Sequence, residues 1–248
     1  MKKPISKVLC LVLCLTLIFT TMVSASSDTV NQTKENMIRE QFKNLKTNIL
    51  MDNDNIRKVE ISDENGTVSA IYNKETGDLR LFDQDSKEVF NTNINTSANT
   101  SNISLINQKD IQPAVIAGEW RIVSSRTDFW YDYSYTKYDN YAYEYMWDVS
   151  TDSSGMYDVY EDYYNKDQLS GFKSSVDAMR QHELEVIAVT SGAAVAAIIA
   201  FISMAPETLG MSLFLAGLLA IGVAAAAGIP AYLVYTSKLD ANEYFMQI

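Results

Sequence analysis

The sequence holds two cysteines, one histidine and four prolines. Both cysteines, Cys10 and Cys14, sit inside the apolar run "VLCLVLCLTLIFTTMV". A basic "MKKPISK" precedes that run, and Val23-Ser24-Ala25 ends it like an A-x-A cleavage site. Residues 1–25 therefore read as a Sec signal peptide, cut between Ala25 and Ser26. An uncleaved anchor is the alternative, but the run is short and ends at small residues. A lipoprotein site needs a small residue before its cysteine, and here Leu9 and Leu13 stand there. Once the leader is removed no disulfide, thiolate nucleophile or cysteine metal site can form.

Basic charge is also scarce. Lys and Arg number 20 against 31 Asp and Glu, a formal net charge of −11. The leader takes three lysines and no acid, leaving −14. So acidic a chain is repelled by nucleic acid and by anionic lipid. It is thus unlike the short cationic antimicrobial peptides. Catalytic motifs are missing as well: there is no G-x-S-x-G, P-loop or H-E-x-x-H. His182 lies in a polar helical stretch and reads as a solvated side chain. "DNDNIR" at Asp52 and "DQDSKE" at Asp83 open like calcium loops, but both lack the sixth-position glycine. Carboxylates are abundant and no pair stands out. The expectation is a non-enzyme without cofactor or metal.

The elements that are present imply an α+β fold. Residues 26–90 read as a small domain. A helix through Ile49 is capped by Ser27 or Asp28, with Ile38, Phe42, Leu45 and Ile49 on one face. A β-meander of three or four strands follows, with turns at Asn65-Gly66 and Thr76-Gly77. Residues 91–113 are rich in Asn, Thr and Ser and read as a linker, with N-x-S/T triplets at Asn95, Asn99 and Asn102. Residues 114–166 are aromatic. Tyr131, Tyr133 and Tyr135 alternate, as do Tyr141, Tyr143, Tyr145 and Trp147. A hairpin with its loop at Lys137–Asn140, paired to "EWRIVS", suits them. Its aromatic face, with Trp120 and Trp130, is either the core of a small sheet or a sticky surface for a receptor, glycan or lipid interface. Residues 167–185 read as an amphipathic helix carrying Leu169, Phe172, Val176 and Met179, and 236–248 as a polar tail.

The long apolar stretch is 186–235. Val186–Ala205 is uncharged, and at about 1.5 Å per residue its 20 residues match a bilayer core. Leu209–Tyr235 is longer. "APET" joins them as a hairpin tip, with Pro206 opening the second helix. Ala188, Gly192, Ala196 and Ala200, then Ser212, Ala216, Ala220, Ala224 and Gly228, form small-residue ladders that let helices approach closely. The tip carries only Glu207 and no basic residue, so the positive-inside bias of an anchor is absent. The composition, rich in alanine, is only marginally apolar. Three readings stay open: transmembrane anchors, a buried core hairpin, and a sheltered hairpin that inserts later.

A signal peptide, a small helix-and-strand region, the aromatic "GEWRIVSSRTDFWYDYSY" and an Ala/Gly-rich hairpin follow one another. In this layout the chain resembles the large secreted bacteriocins of Gram-positive bacteria, most nearly the geobacillin type. The hairpin is similar in its physics to that of pore-forming colicins. The resemblance implies a secreted, non-enzymatic antibacterial protein acting on the membrane of related cells. Its partners would be the target bilayer and a cell-surface receptor, with no nucleic acid. Residues 26–90 could serve as a pro-region. The rival is an extracellular interaction protein anchored in the producer's own membrane by the same hairpin.

Overall fold

The computed structural model describes residues 27–94, 120–140, 142 and 144–248, with 27–31 by backbone alone. Ala25, Ser26, Tyr141, Tyr143 and the three Asn triplets of the linker lie outside the described residues. So do the side chains of Ser27 and Asp28, the expected caps. Five α-helices and two antiparallel sheets make the described chain an α+β protein.

Helix α1 (Ser27–Lys43) opens the described chain and leads into a five-stranded meander. Its strands are β1 (Lys46–Asp52), β2 (Ile56–Asp63), β3 (Gly66–Asn73), β4 (Asp78–Phe82) and β5 (Glu88–Asn93), side by side in sequence order. A helix reaching Ile49 is not seen. The chain turns after Lys43, and Ile49 pairs opposite Val59 in β1. Asn44, Thr47 and Asn48 are weak helix formers, and the ladder with β2 satisfies the backbone instead. Ile38 is buried and Phe42 packs on the core, while β1 is an exposed edge. The meander turns are closed by side-chain oxygens. Asp63 accepts from the N–H groups of Asn65 and Gly66, and Asn73 from those of Glu75 and Thr76. The two calcium-like loops have other work. Asp83 accepts from the N–H groups of Asp85 and Lys87, and Asp52 pairs with Lys74 at 2.6 Å.

The second sheet is also a sequential meander: β6 (Trp120–Thr127), β7 (Ser134–Asn140), β8 (Tyr145–Thr151) and β9 (Ser154–Tyr160). The segment "WRIVS" pairs with β7. Lys137–Asn140 lies within β7 rather than in the hairpin loop. The turn comes after it, where Asn140 Oδ1 accepts from the N–H groups of Ala142 and Glu144.

Then come α2 (Lys166–Val189), α3 (Gly192–Met204), α4 (Met211–Ala220), a short 3-10 turn (Ala225–Ala227) and α5 (Gly228–Phe245). Helices α2 and α5 pack along each other, and α1 lies on both. Helix α4 crosses β2, β3 and β4. On those strands Val59, Ile61, Ala70, Leu79 and Leu81 are fully buried. Leu169, Phe172, Val176 and Met179 of α2 are also fully buried, and α2 contacts β6 and β7.

Two long apolar helices are therefore absent from 186–235. The first run breaks at Thr190 and Ser191, both extended, with Thr190 Oγ1 donating back to the Val186 carbonyl. Hydroxyl side chains that bond their own backbone favour such breaks. Pro206 follows α3 and forces Ala205 out of helical geometry. It opens no helix; α4 begins at Met211 behind Gly210. The second run stops at Gly222, whose φ of 93° suits only glycine comfortably. Val223 N–H donates to the Leu218 carbonyl there at 3.0 Å, closing a Schellman turn. No helix among the described residues is long and apolar enough to cross a membrane.

Candidate functional site

The segment 186–235 folds as the end of α2, the short apolar helices α3 and α4, a 3-10 turn and the start of α5, with α4 packed on the first sheet. Phe214 of α4 sits at its centre, fully buried. Its ring lies 5.1 Å from Phe201 of α3, 5.2 Å from Tyr232 and 5.1 Å from Tyr235 of α5. Leu215, Ala216, Leu218 and Ala220 are buried around it. Burying one such Leu or Phe side chain is worth about 1.5–3 kcal/mol. Close packing requires Gly217: a β-carbon there would stand 2.6 Å from Phe201 Cζ.

The breaks divide the small-residue ladders. Val186 is buried at the end of α2, Ala188 and Gly192 are exposed, and Ala196 and Ala200 are buried in α3. Ser212, Ala216 and Ala220 belong to α4, exposed Ala224 to the turn, and buried Gly228 to α5. Neither ladder forms one continuous helical ridge. Pro206 and exposed Glu207 lie in the loop between α3 and α4. Tyr235 O–H donates to the Pro206 carbonyl at 2.6 Å. The tip is thus pinned by the fold.

The aromatic face, open in the sequence between sheet core and surface, is largely interior. Tyr131, Tyr133, Tyr135 and Trp147 are buried. Tyr133 O–H donates to Asn242 Oδ1 at 2.6 Å, Tyr135 O–H to Asp177 Oδ1 at 2.9 Å, and Trp147 Nε1–H to Glu161 Oε2 at 2.8 Å. These are amphipathic rings filling a core with the polar tip satisfied. Trp120, Trp130 and Tyr145 are half-buried. Tyr145 lies under the Lys137 ammonium at 4.1 Å. The exposed aromatics fall later, on β9 and the loop after it: Tyr157, Tyr160, Tyr163 and Tyr164, the last 84% exposed. Trp120 and Tyr160 meet edge to face at 6.1 Å across the sheet. In "YEDYY" the rings of Tyr160, Tyr163 and Tyr164 follow no strand period.

Two carboxyl groups are buried at the join of the second sheet and α2. Asp128, in the β6–β7 connection, is 6% exposed and Glu183 of α2 is 0% exposed. Asp128 Oδ2 accepts from the N–H groups of Trp130 and Tyr131, and Oδ1 from that of Tyr133. Glu183 Oε2 accepts from Phe129 N–H at 2.8 Å. Burial, and then the neighbouring Asp128 charge, push Glu183 well above the usual carboxylate range. Burial also raises Asp128, against the pull of its hydrogen bonds. With three N–H donors Asp128 is the better-satisfied carboxyl of the two.

His182 is buried, not solvated, at 4% exposure. Burial lowers its pKa, although Glu185 and Glu35 pull it up. Glu35, His182 and Glu185 offer ligand atoms within 4.8 Å of one another. The Arg39 guanidinium already takes both carboxylates, at 2.7 Å to Glu35 and 3.1 Å to Glu185. This cluster therefore fits an ion-pair network tying α1 to α2 better than a metal centre. A cavity of about 180 Å³, lined in part by Glu35 and His182, lies between α1, α2 and α5.

Comparison with protein-family models, curated proteins and solved structures finds no match in any of the three.

Proposed function

We propose that the chain is a secreted, bacteriocin-like protein that acts on target-cell membranes through residues 186–235. One observation carries the reading. Fifty consecutive residues with a single charge, that of Glu207, are folded away as four short pieces rather than as spanning helices. Such a form stays in water until a bilayer offers an alternative apolar environment. The breaks at Thr190–Ser191, Pro206 and Gly222 are hinges about which the pieces can rearrange. The exposed Tyr157, Tyr160, Tyr163 and Tyr164 suit the membrane–water interface, where tyrosine is favoured. The buried carboxyl pair and the Arg39 network act as structural ties, with no catalytic role.

The test is dye release from liposomes by purified residues 26–248, with growth inhibition of neighbouring strains. Release and killing are expected at nanomolar to micromolar protein. No release at either neutral or acidic pH, with no killing, would end the proposal. Fractionation of producer cells separates it from the anchored reading, which requires the protein in the producer's membrane rather than the medium.

A further inference from the structure

The first sheet has a role of its own in this scheme. Helix α4, "MSLFLAGLLA", bears no charged side chain and Ser212 as its one polar side chain. Its neighbours across the seam are β2, β3 and β4, whose facing residues Val59, Ile61, Ala70, Leu79 and Leu81 are all apolar and fully buried. No hydrogen-bond ladder joins α4 to the sheet, so separating them breaks no backbone bond. The polar ties along the seam are few. Ser212 O–H donates to Asp63 Oδ2 at 2.6 Å, and Thr92 O–H meets Met204 Sδ at 3.0 Å. Farther out, Lys34 pairs with Asp240 at 2.5 Å and Arg39 with Glu185.

We propose that the N-terminal module, α1 with β1–β5, is an intramolecular clamp on the lipid-binding face of α3 and α4. Its sheet holds the place that hydrocarbon takes on insertion, and the seam between β2–β4 and α4 is the one that opens. The proposal rests on the membrane reading above and adds what keeps the segment harmless in water. The occupant of the opened face is the bilayer interior. The centre of the seam is apolar and suits hydrocarbon; its polar groups are Ser212 with Asp63 and Thr92, each already tied across it. Opening in water would bare both α4 and the sheet face, so it is favoured only where lipid can cover them.

The chain from Ser26 on has no cysteine, so a removable bridge is a clean test. Asp63→Cys and Ser212→Cys together place two thiols across the seam. A short bis-methanethiosulfonate linker joins them, and dithiothreitol releases it. Carboxyfluorescein release from phosphatidylcholine vesicles is then followed. The bridged protein is expected to release dye at least tenfold more slowly than the same protein after dithiothreitol. Equal release before and after reduction overturns the clamp while leaving membrane activity standing. If unbridged wild-type protein is silent, the membrane reading fails and takes the clamp with it. Asp63 also closes a turn, so Thr92→Cys with Met204→Cys is the second pair. It must give the same ratio for the clamp to stand.

Discussion

Asp128 offers the sharpest test of how the second sheet is tied to the helices. One small side chain satisfies three main-chain donors, at 3.1 Å to Trp130, 2.7 Å to Tyr131 and 2.7 Å to Tyr133. Its own N–H donates to the Tyr133 carbonyl, so the residue fixes both ends of the β6–β7 connection. Asp128→Ala removes every acceptor. A buried donor without a partner costs about 1–3 kcal/mol. Two of the three hydrogen bonds are fully buried, which gives about 2–6 kcal/mol. Part is returned, because the substitution also removes a buried charge beside Glu183. A loss of about 2–4 kcal/mol is therefore expected, a large share of the roughly 5–15 kcal/mol of a typical domain. Asp128→Asn keeps one carbonyl oxygen and turns an amide N–H₂ toward a donor, so it falls between, at about 1–3 kcal/mol. The assay is urea unfolding followed by tryptophan fluorescence, with the slope m unchanged. If Asp128→Ala unfolds within about 0.5 kcal/mol of wild type, as ordinary surface substitutions do, the reasoning is wrong.

Three other outcomes can be checked. Glu183 has a raised pKa in the folded chain, so its contribution is complete below the unfolded value of about 4.5 and fades as pH rises toward the folded value; Glu183→Gln should flatten that decline in urea unfolding at pH above 5, where one such group costs up to about 1.4 kcal/mol per pH unit. Phe214→Ala should cost about 3–5 kcal/mol, read as a lowered Tm, because its ring is closed in by Phe201, Tyr232 and Tyr235. Tyr163→Ala with Tyr164→Ala should leave unfolding within about 0.5 kcal/mol of wild type yet weaken binding to vesicles in a flotation assay; unchanged flotation would remove these rings from the membrane reading.

What the sequence revealed depended on whether local chemistry or tertiary contact decided each element. The strands β2–β5 were legible because alternation and Asn-Gly or Thr-Gly turns agree. Helix α2 was legible from Leu169, Phe172, Val176 and Met179. The same helical spacing continues to Glu183 and Val186, so a carboxyl on the buried face could have been read there. Its partner Asp128 could not, since only the folded turn brings the two together. Strand β1 was hidden because Leu45 and Ile49 happen to keep helical spacing after α1. The apolar stretch misled through its length. Thr190-Ser191-Gly192 and Ile221-Gly222 carry the break signals, but being uncharged they do not interrupt the apolar run. The alternating tyrosines of β7 and β8 were clear as strands, but alternation does not say which face meets the core.

Both sheets join only strands that are neighbours in sequence. Such pairings close short loops and form early, without waiting for distant parts of the chain. A chain leaves its ribosome N-terminus first. All five strands of the first sheet therefore have their pairing partners before Phe214 and Leu218 emerge. Order along the chain thus doubles as order in time: the strands that cover the apolar helix are made before the helix that needs covering.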